Sequence, residues 1–235
     1  MARAALFFAG TALGTATAAQ ADGISAARYD GLVDRYSHQV FASPANHGCL
    51  VVTLVSGREI AFDLPQTMVF EDRAPRLWDL TGDGQPEVVV VESSLSLGAR
   101  LAVYDASGRI AATPFIGTSH RWLAPVGAAD LDGDGWTEVA YVDRPHLAKI
   151  LRVWRFRDGT LTEVTAASGL TNHRLGSDVI QGGIRSCAGT SPELITADAG
   201  WSRIVATRLV DGQLTARDLG PYGGPESLSA AIDDC

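Results

Sequence analysis

Three aspartates stand at alternate positions, Asp130, Asp132 and Asp134, followed at once by Gly135 and three residues later by Glu138. Alternate carboxylates in a tight loop are hard oxygen ligands in the number that suits Ca2+, which takes 6 to 8 oxygens at about 2.3 to 2.6 Å. The carbonyl of Trp136 is the natural main-chain ligand, and Gly133 and Gly135 let the chain turn around an ion. The spacing is not that of an EF-hand, because the twelfth position counted from Asp130 is Tyr141. An earlier copy, Asp79-x-Thr81-x-Asp83-Gly84-Gln85-x-Glu87, keeps the frame, with Gln85 in the place of Trp136. Having lost one charge at Thr81, it is expected to bind the ion more weakly. Without an ion, either loop reads as an Asx-type turn with solvated carboxylates.

Such loops need strands on both sides to hold them, and the chain supplies those in a repeat. Turn glycines fall at Gly57, Gly108, Gly159 and Gly212, at intervals of 51, 51 and 53 residues, each between two β-type runs. A second ladder runs in phase: Glu87, Glu138 and Glu193 open equivalent apolar strands. Each unit therefore reads as strand A, acidic loop, strand B, loop, strand C, glycine turn, strand D. Four strands in about 50 residues is the sequence grammar of a β-propeller blade. The expected fold is all-β, a small propeller of about four four-stranded blades, with units at about 22–70, 71–121, 122–173 and 174–220; a β-sandwich of the same strands is the alternative. The degenerate first unit places its strand B over Tyr36 to Ala42. In the tail, 221–235, Pro225, Glu226 and the spacing of Leu228, Ala231 and Ile232 predict one short helix.

From about Arg73 to Leu209 the chain resembles the FG-GAP/VCBS repeat proteins, most specifically at Asp79, Asp83, Glu87, Asp130, Asp132, Asp134 and Glu138. The integrin α-chain propeller is one such protein. The resemblance implies a propeller, calcium in the A to B hairpins, and an extracytoplasmic adhesion or binding role. The chain departs from that pattern in having four units rather than seven and only two acidic loops. In the third full unit the loop before Glu193 contains Cys187, Gly189 and Pro192 and no carboxylate.

On a propeller the B to C and D to A loops share the face opposite the calcium loops. There the repeat places Asp143, Arg144 and His146, then Arg121 and Trp122, His173 and Arg174, and Trp201. As ligand-binding candidates they would offer Trp122 and Trp201 as stacking surfaces for a carbohydrate or peptide. As structural groups they would cap turns or pair between blades. No serine or cysteine elbow, zinc motif or paired-acid signature marks a catalytic group, so no catalytic residue is assigned.

Composition is consistent with a folded, exported protein. Of 235 residues 46% are hydrophobic and 20% charged, and 19 basic against 27 acidic side chains leave a net charge of -8. That balance argues against nucleic acid and anionic membrane surfaces. No apolar run is long enough to span a bilayer. Arg3, the apolar Ala4 to Leu13 and Ala19-Gln20-Ala21 read as a signal peptide over 1–21, leaving a single domain over 22–235 in the periplasm or outside the cell. Of Cys49, Cys187 and Cys235, the last two are the expected disulfide, because Cys187 lies in the loop that lost its acids and Cys235 follows the flexible Gly223-Gly224. Cys49 with Cys235 is the alternative. The expected function is an exported calcium-binding module that holds an unidentified protein or carbohydrate ligand without turning it over; a glycan hydrolase or lyase acting on the opposite face is the alternative.

Overall fold

The computed structural model describes Met1 and residues 22–235. The segment expected to be a signal peptide lies otherwise outside the described residues. Seventeen strands and one helix follow in chain order. The first unit holds β1 (Ile24–Leu32), β2 (Asn46–Leu54) and β3 (Glu59–Asp63). The second holds β4 (Met68–Glu71), β5 (Arg76–Trp78), β6 (Glu87–Ser94), β7 (Gly98–Asp105) and β8 (Gly108–Ala112). The third is β9 (Leu123–Ala129), β10 (Glu138–Asp143), β11 (Ile150–Arg157) and β12 (Thr160–Ser168). The fourth is β13 (Leu170–Thr171), β14 (Gly183–Arg185), β15 (Glu193–Asp198), β16 (Arg203–Val210) and β17 (Gln213–Pro221), and α1 (Pro225–Asp233) ends the chain.

Apart from strand B of the degenerate first unit, the repeat signals fall where the ladder puts them. The acids Glu87, Glu138 and Glu193 are the first residues of β6, β10 and β15. Each turn glycine has positive φ, and at Asp158-Gly159 and Asp211-Gly212 both turn residues do, with φ of 49° and 72°, then 50° and 73°. Two consecutive left-handed residues make the hairpin turn whose twist matches that of the strands it joins.

Strands in the middle of each unit are buried on both faces, and their period of two sends alternate side chains into different cores. Val88 and Val90 of β6 pack with Leu50, Val52 and Leu54 of β2, whereas Val89 and Val91 pack with Val139 and Tyr141 of β10. On β10, Ala140 and Val142 turn the other way, toward Leu194 of β15 and Leu209 of β16. Ile195 and Ala197 of β15 face Leu228 of α1. The units thus stack in sequence order around shared cores. The fourth is covered by the helix, whose Leu228, Ala231 and Ile232 form the apolar side expected of them.

The repeat predicts four separate blades, and the described residues form three sheets. The third and fourth units keep their own, in the orders β9-β10-β11-β12 and β13-β15-β16-β17, with β14 beside β15. The first two units merge into one eight-stranded sheet because β4 pairs with β6 through Met68, Val69 and Phe70 and with β2 through Phe70 and Glu71. Among the described residues no strand pairing joins the fourth unit to the first. They meet through loops, where Gly176 N–H donates to Val40 O (2.8 Å) and Ser43 Oγ to Asp178 Oδ2 (2.7 Å).

The first unit also differs from its expected phase. Tyr36 to Ala42 is not a strand: the edge of β2 it would have used is taken by β1, paired from Ile24 opposite Leu54 to Leu32 opposite His47. The freed segment instead folds inward, burying Tyr36, Val40 and Phe41, the last two, with Ala45 just beyond, in the core between the second and third units. Among the described residues no helix is long and apolar enough to cross a membrane.

Candidate functional site

The loop from Asp130 to Glu138 is wound by its own carboxylates. Gly133 N–H donates to Asp130 Oδ1 (2.8 Å), Gly135 N–H to Asp130 Oδ2 (2.9 Å) and Trp136 N–H to Asp134 Oδ1 (2.9 Å). Glu138, buried at the start of β10, accepts from Leu131 N–H at Oε2 (2.9 Å). One oxygen each from Asp130, Asp132 and Glu138 lies within 4.8 Å of the others. Among the described residues no other three His, Cys, Asp or Glu side chains gather so closely. The cluster is of a size and donor type that fits a divalent cation.

A residue absent from the sequence reading shares this cluster. Arg155, directly opposite Glu138 on β11, donates from Nε to Glu138 Oε1 (2.6 Å) and from Nη2 to Asp132 Oδ2 (2.6 Å), with Nη1 3.0 Å from Asp134 Oδ2. Burial holds the Glu138 carboxyl above its usual range, opposed by the bond to Arg155. The guanidinium supplies part of the positive charge that an ion would bring.

The earlier loop has the same winding. Gly82 and Gly84 N–H donate to Asp79 (2.7 and 2.9 Å), Gln85 N–H to Asp83 (2.8 Å) and Leu80 N–H to Glu87 Oε2 (2.8 Å). Thr81 offers no carboxylate, and the acids of this loop do not draw together as a group. One place beyond the Val88–Tyr104 pair, where the third unit has Arg155, stands Asp105. Burial raises Glu87, and the charges of Asp79 and Asp83 add to the effect.

On the opposite face the eight candidate residues do not form one pocket. Trp122 is 2% exposed and donates from Nε1 to Glu71 O (2.8 Å), so it is a core side chain and not a stacking surface. His173 is fully buried; it shares a 2.9 Å hydrogen bond with His146 Nε2, and both rings lie against Trp122. Asp143 is consumed by Arg144 (2.8 Å) and by Arg152 (3.0 Å). Arg174 lies over Trp201 (4.5 Å) and Tyr222 (5.5 Å), and Arg121 donates to the carbonyl of His120 (2.8 Å). A cleft of only about 30 Å3 separates Arg121, Trp122, Arg144 and His146.

Residues outside the repeat complete this face. His38 Nδ1 lies 2.6 Å from Glu71 Oε1, Ser93 donates to the other carboxylate oxygen, and His120 packs edge-on to His38 with centroids 5.4 Å apart. Tyr36, His38 and Glu71 line a cavity of about 230 Å3. Four of the five histidines thus collect here. His120, His146 and His173 stand in loops that the repeat assigns to this face, which was the available sequence signal, whereas His38 stands in the degenerate first unit.

This packing has a consequence in acid. Burial, followed by the nearby His173, pushes the His146 imidazole down to about 4 from its ordinary 6.5. The unfolded chain therefore takes up the proton first, so stability should fall as pH drops from about 6.5 towards 4. After allowance for solvent screening the loss is about 2 kcal/mol. His146→Gln keeps a hydrogen-bonding group beside His173 and should flatten the acid limb of a urea-stability profile; an unchanged limb would refute the assignment.

The comparisons with known proteins agree with the loops. Residues 79–141, which contain both, match the family model of the FG-GAP-like repeat, within an all-β fold of several antiparallel sheets. No curated protein matches the chain. Among solved structures it is similar to the crystal structure of rhamnogalacturonan lyase YesW, at 19% identity and a TM-score of 0.40, over 83% of this chain and 40% of that one. A likeness of that size leaves the function to be argued from this chain's own residues.

Proposed function

We propose that this protein is an exported, calcium-stabilised FG-GAP-like module that binds a protein or carbohydrate partner without catalysis. The observation that carries the reading is the convergence of Asp130, Asp132 and Glu138 in a loop already wound to hold them. Asp130, Asp132, Asp134, Glu138 and the Trp136 carbonyl would hold the ion. When bound, it would neutralise carboxylates that otherwise repel one another and tie β9 to β10. Asp79, Thr81, Asp83, Gln85 and Glu87 would make a second site. The pairing of Asp143 with Arg144 and Arg152 favours a scaffold over an active site. A disulfide between Cys187 and Cys235 suits an oxidising compartment outside the cytoplasm.

Binding to the folded chain alone stabilises it by linkage, so millimolar Ca2+ should raise the Tm above its value in chelator. Asp132→Ala should abolish most of that response. Arg155→Gln should enlarge it, because the competing guanidinium is gone, while lowering the Tm measured in chelator. Equal Tm values for the unmodified chain with Ca2+ and with chelator would overturn the proposal.

A further inference from the structure

The fourth unit inverts the charge of the place where the third gathers acids. Glu193 opens β15 as Glu138 opens β10, but the preceding loop brings no carboxylate, and three arginines meet the glutamate instead. Arg185 pairs with Glu193 Oε2 and spends its remaining donor on the carbonyls of Ala231 and Asp234 (3.2 Å each). Arg208 donates from Nε to Oε1 (2.7 Å), and Arg217 donates from Nε (3.3 Å) and Nη2 (3.1 Å). Burial opposes it, but together Arg185, Arg208 and Arg217 bring the Glu193 carboxyl below its ordinary range.

One carboxylate cannot satisfy three guanidinium groups. Among the described residues both Nη groups of Arg208 and the Nη1 of Arg217 have no protein acceptor, and these side chains are 41% and 54% exposed. They border a cavity of about 380 Å3, lined also by Leu219, by Ala231 of α1 and by the Cys187–Cys235 disulfide. Asp234 also borders it; its carbonyl accepts from Arg185, and its carboxylate forms no ion pair with any of the three arginines. The result is a concavity in which three guanidinium groups meet the carboxylates of Glu193 and Asp234, closed by a disulfide and a helix, with donors of Arg208 and Arg217 left over, on a chain whose net charge is -8.

We propose that this cavity is an oxyanion site that takes a sulfate or carboxylate group against the free edges of Arg208 and Arg217. Planar guanidinium groups match the oxygens of such groups, and the buried Arg185–Glu193 pair holds them in place from behind. The proposal is independent of calcium, since none of these residues belongs to the acidic loops.

Sulfate titration of the full chain at constant ionic strength, against chloride and followed by calorimetry, tests it, with heparin retention as a second arm. Sulfate should bind in preference to chloride, and Arg208→Gln should weaken it at least tenfold. That variant leaves Arg185 and Arg217 on Glu193, so the fold is retained. Arg58→Gln, on the first unit, is the control and should change nothing. Retention of the unmodified chain on heparin, lost with Arg208→Gln, would identify the source as a polymer-borne group; sulfate binding without retention would identify a free anion. Sulfate that binds no better than chloride, or binds equally to Arg208→Gln, would overturn the site.

Discussion

Trp122→Ala should destabilise the protein by about 3 to 5 kcal/mol, a large share of the 5 to 15 kcal/mol by which a domain is usually held. The indole fills the space between Phe41 and His173, in edge contact with both at centroid distances of 5.1 and 4.9 Å, and stacks on His146. Truncation would open a cavity in the core shared by the second and third units, and would remove the donor that Glu71 O uses. A ligand-stacking tryptophan on a loop would behave differently, since an exposed substitution usually changes stability by less than about 0.5 kcal/mol. Urea denaturation separates the two roles: a shift that small would return Trp122 to the surface.

Removing the disulfide should cost about 4 kcal/mol, the chain-entropy value for a closure spanning 48 residues. Cys187 and Cys235 bring their Cα atoms to 5.6 Å and so fasten the end of α1 to the loop before β15. Without that bond the helix keeps Leu228, Ala231 and Ile232 against the core that holds Ile195 and Ile204, together with the two carbonyl contacts to Arg185. Those are too few to hold nine residues firmly against their conformational entropy. Cys187→Ser should therefore lower the Tm and expose residues after Gly223 to limited proteolysis. The reduced unmodified chain should behave in the same way. A Tm and a cleavage pattern unaltered by either change would show that packing alone secures the tail. Cys49, half-buried and unpaired, offers no substitute partner in the structure.

What could be read from the sequence was whatever the repeat enforces locally. Glutamates 51 and 55 residues apart open β6, β10 and β15 because each follows a turn that must end where a buried strand begins. Glycines mark hairpins because the turns demand positive φ. What escaped was decided by partners distant in the chain. Tyr36 to Ala42 has the composition of a strand, but β1 occupies its edge of β2, and Val40 and Phe41 are worth more as filling beside Trp122. Arg155 looks like any charged residue on a strand until antiparallel register sets it opposite Glu138. The histidine face was half legible: His146 and His173 lie in repeat loops, whereas His38 and Glu71 meet only after the first unit abandons its phase. Trp122 lies in a D to A connection and Trp201 in a B to C loop of the same face, and the first is buried while the second lies under Arg174.

The short strand β4 has backbone partners on both sides, in two different units. Amides of β2, β4 and β6 therefore cannot open to solvent one unit at a time, because releasing either neighbour breaks a ladder held in common. The third and fourth units share side-chain cores but no strand, so each can detach as a separate cooperative block. In native-state hydrogen exchange the first two units would behave as a single foldon spanning Ile24 to Ala112, and the molecule would unravel from its C-terminal end.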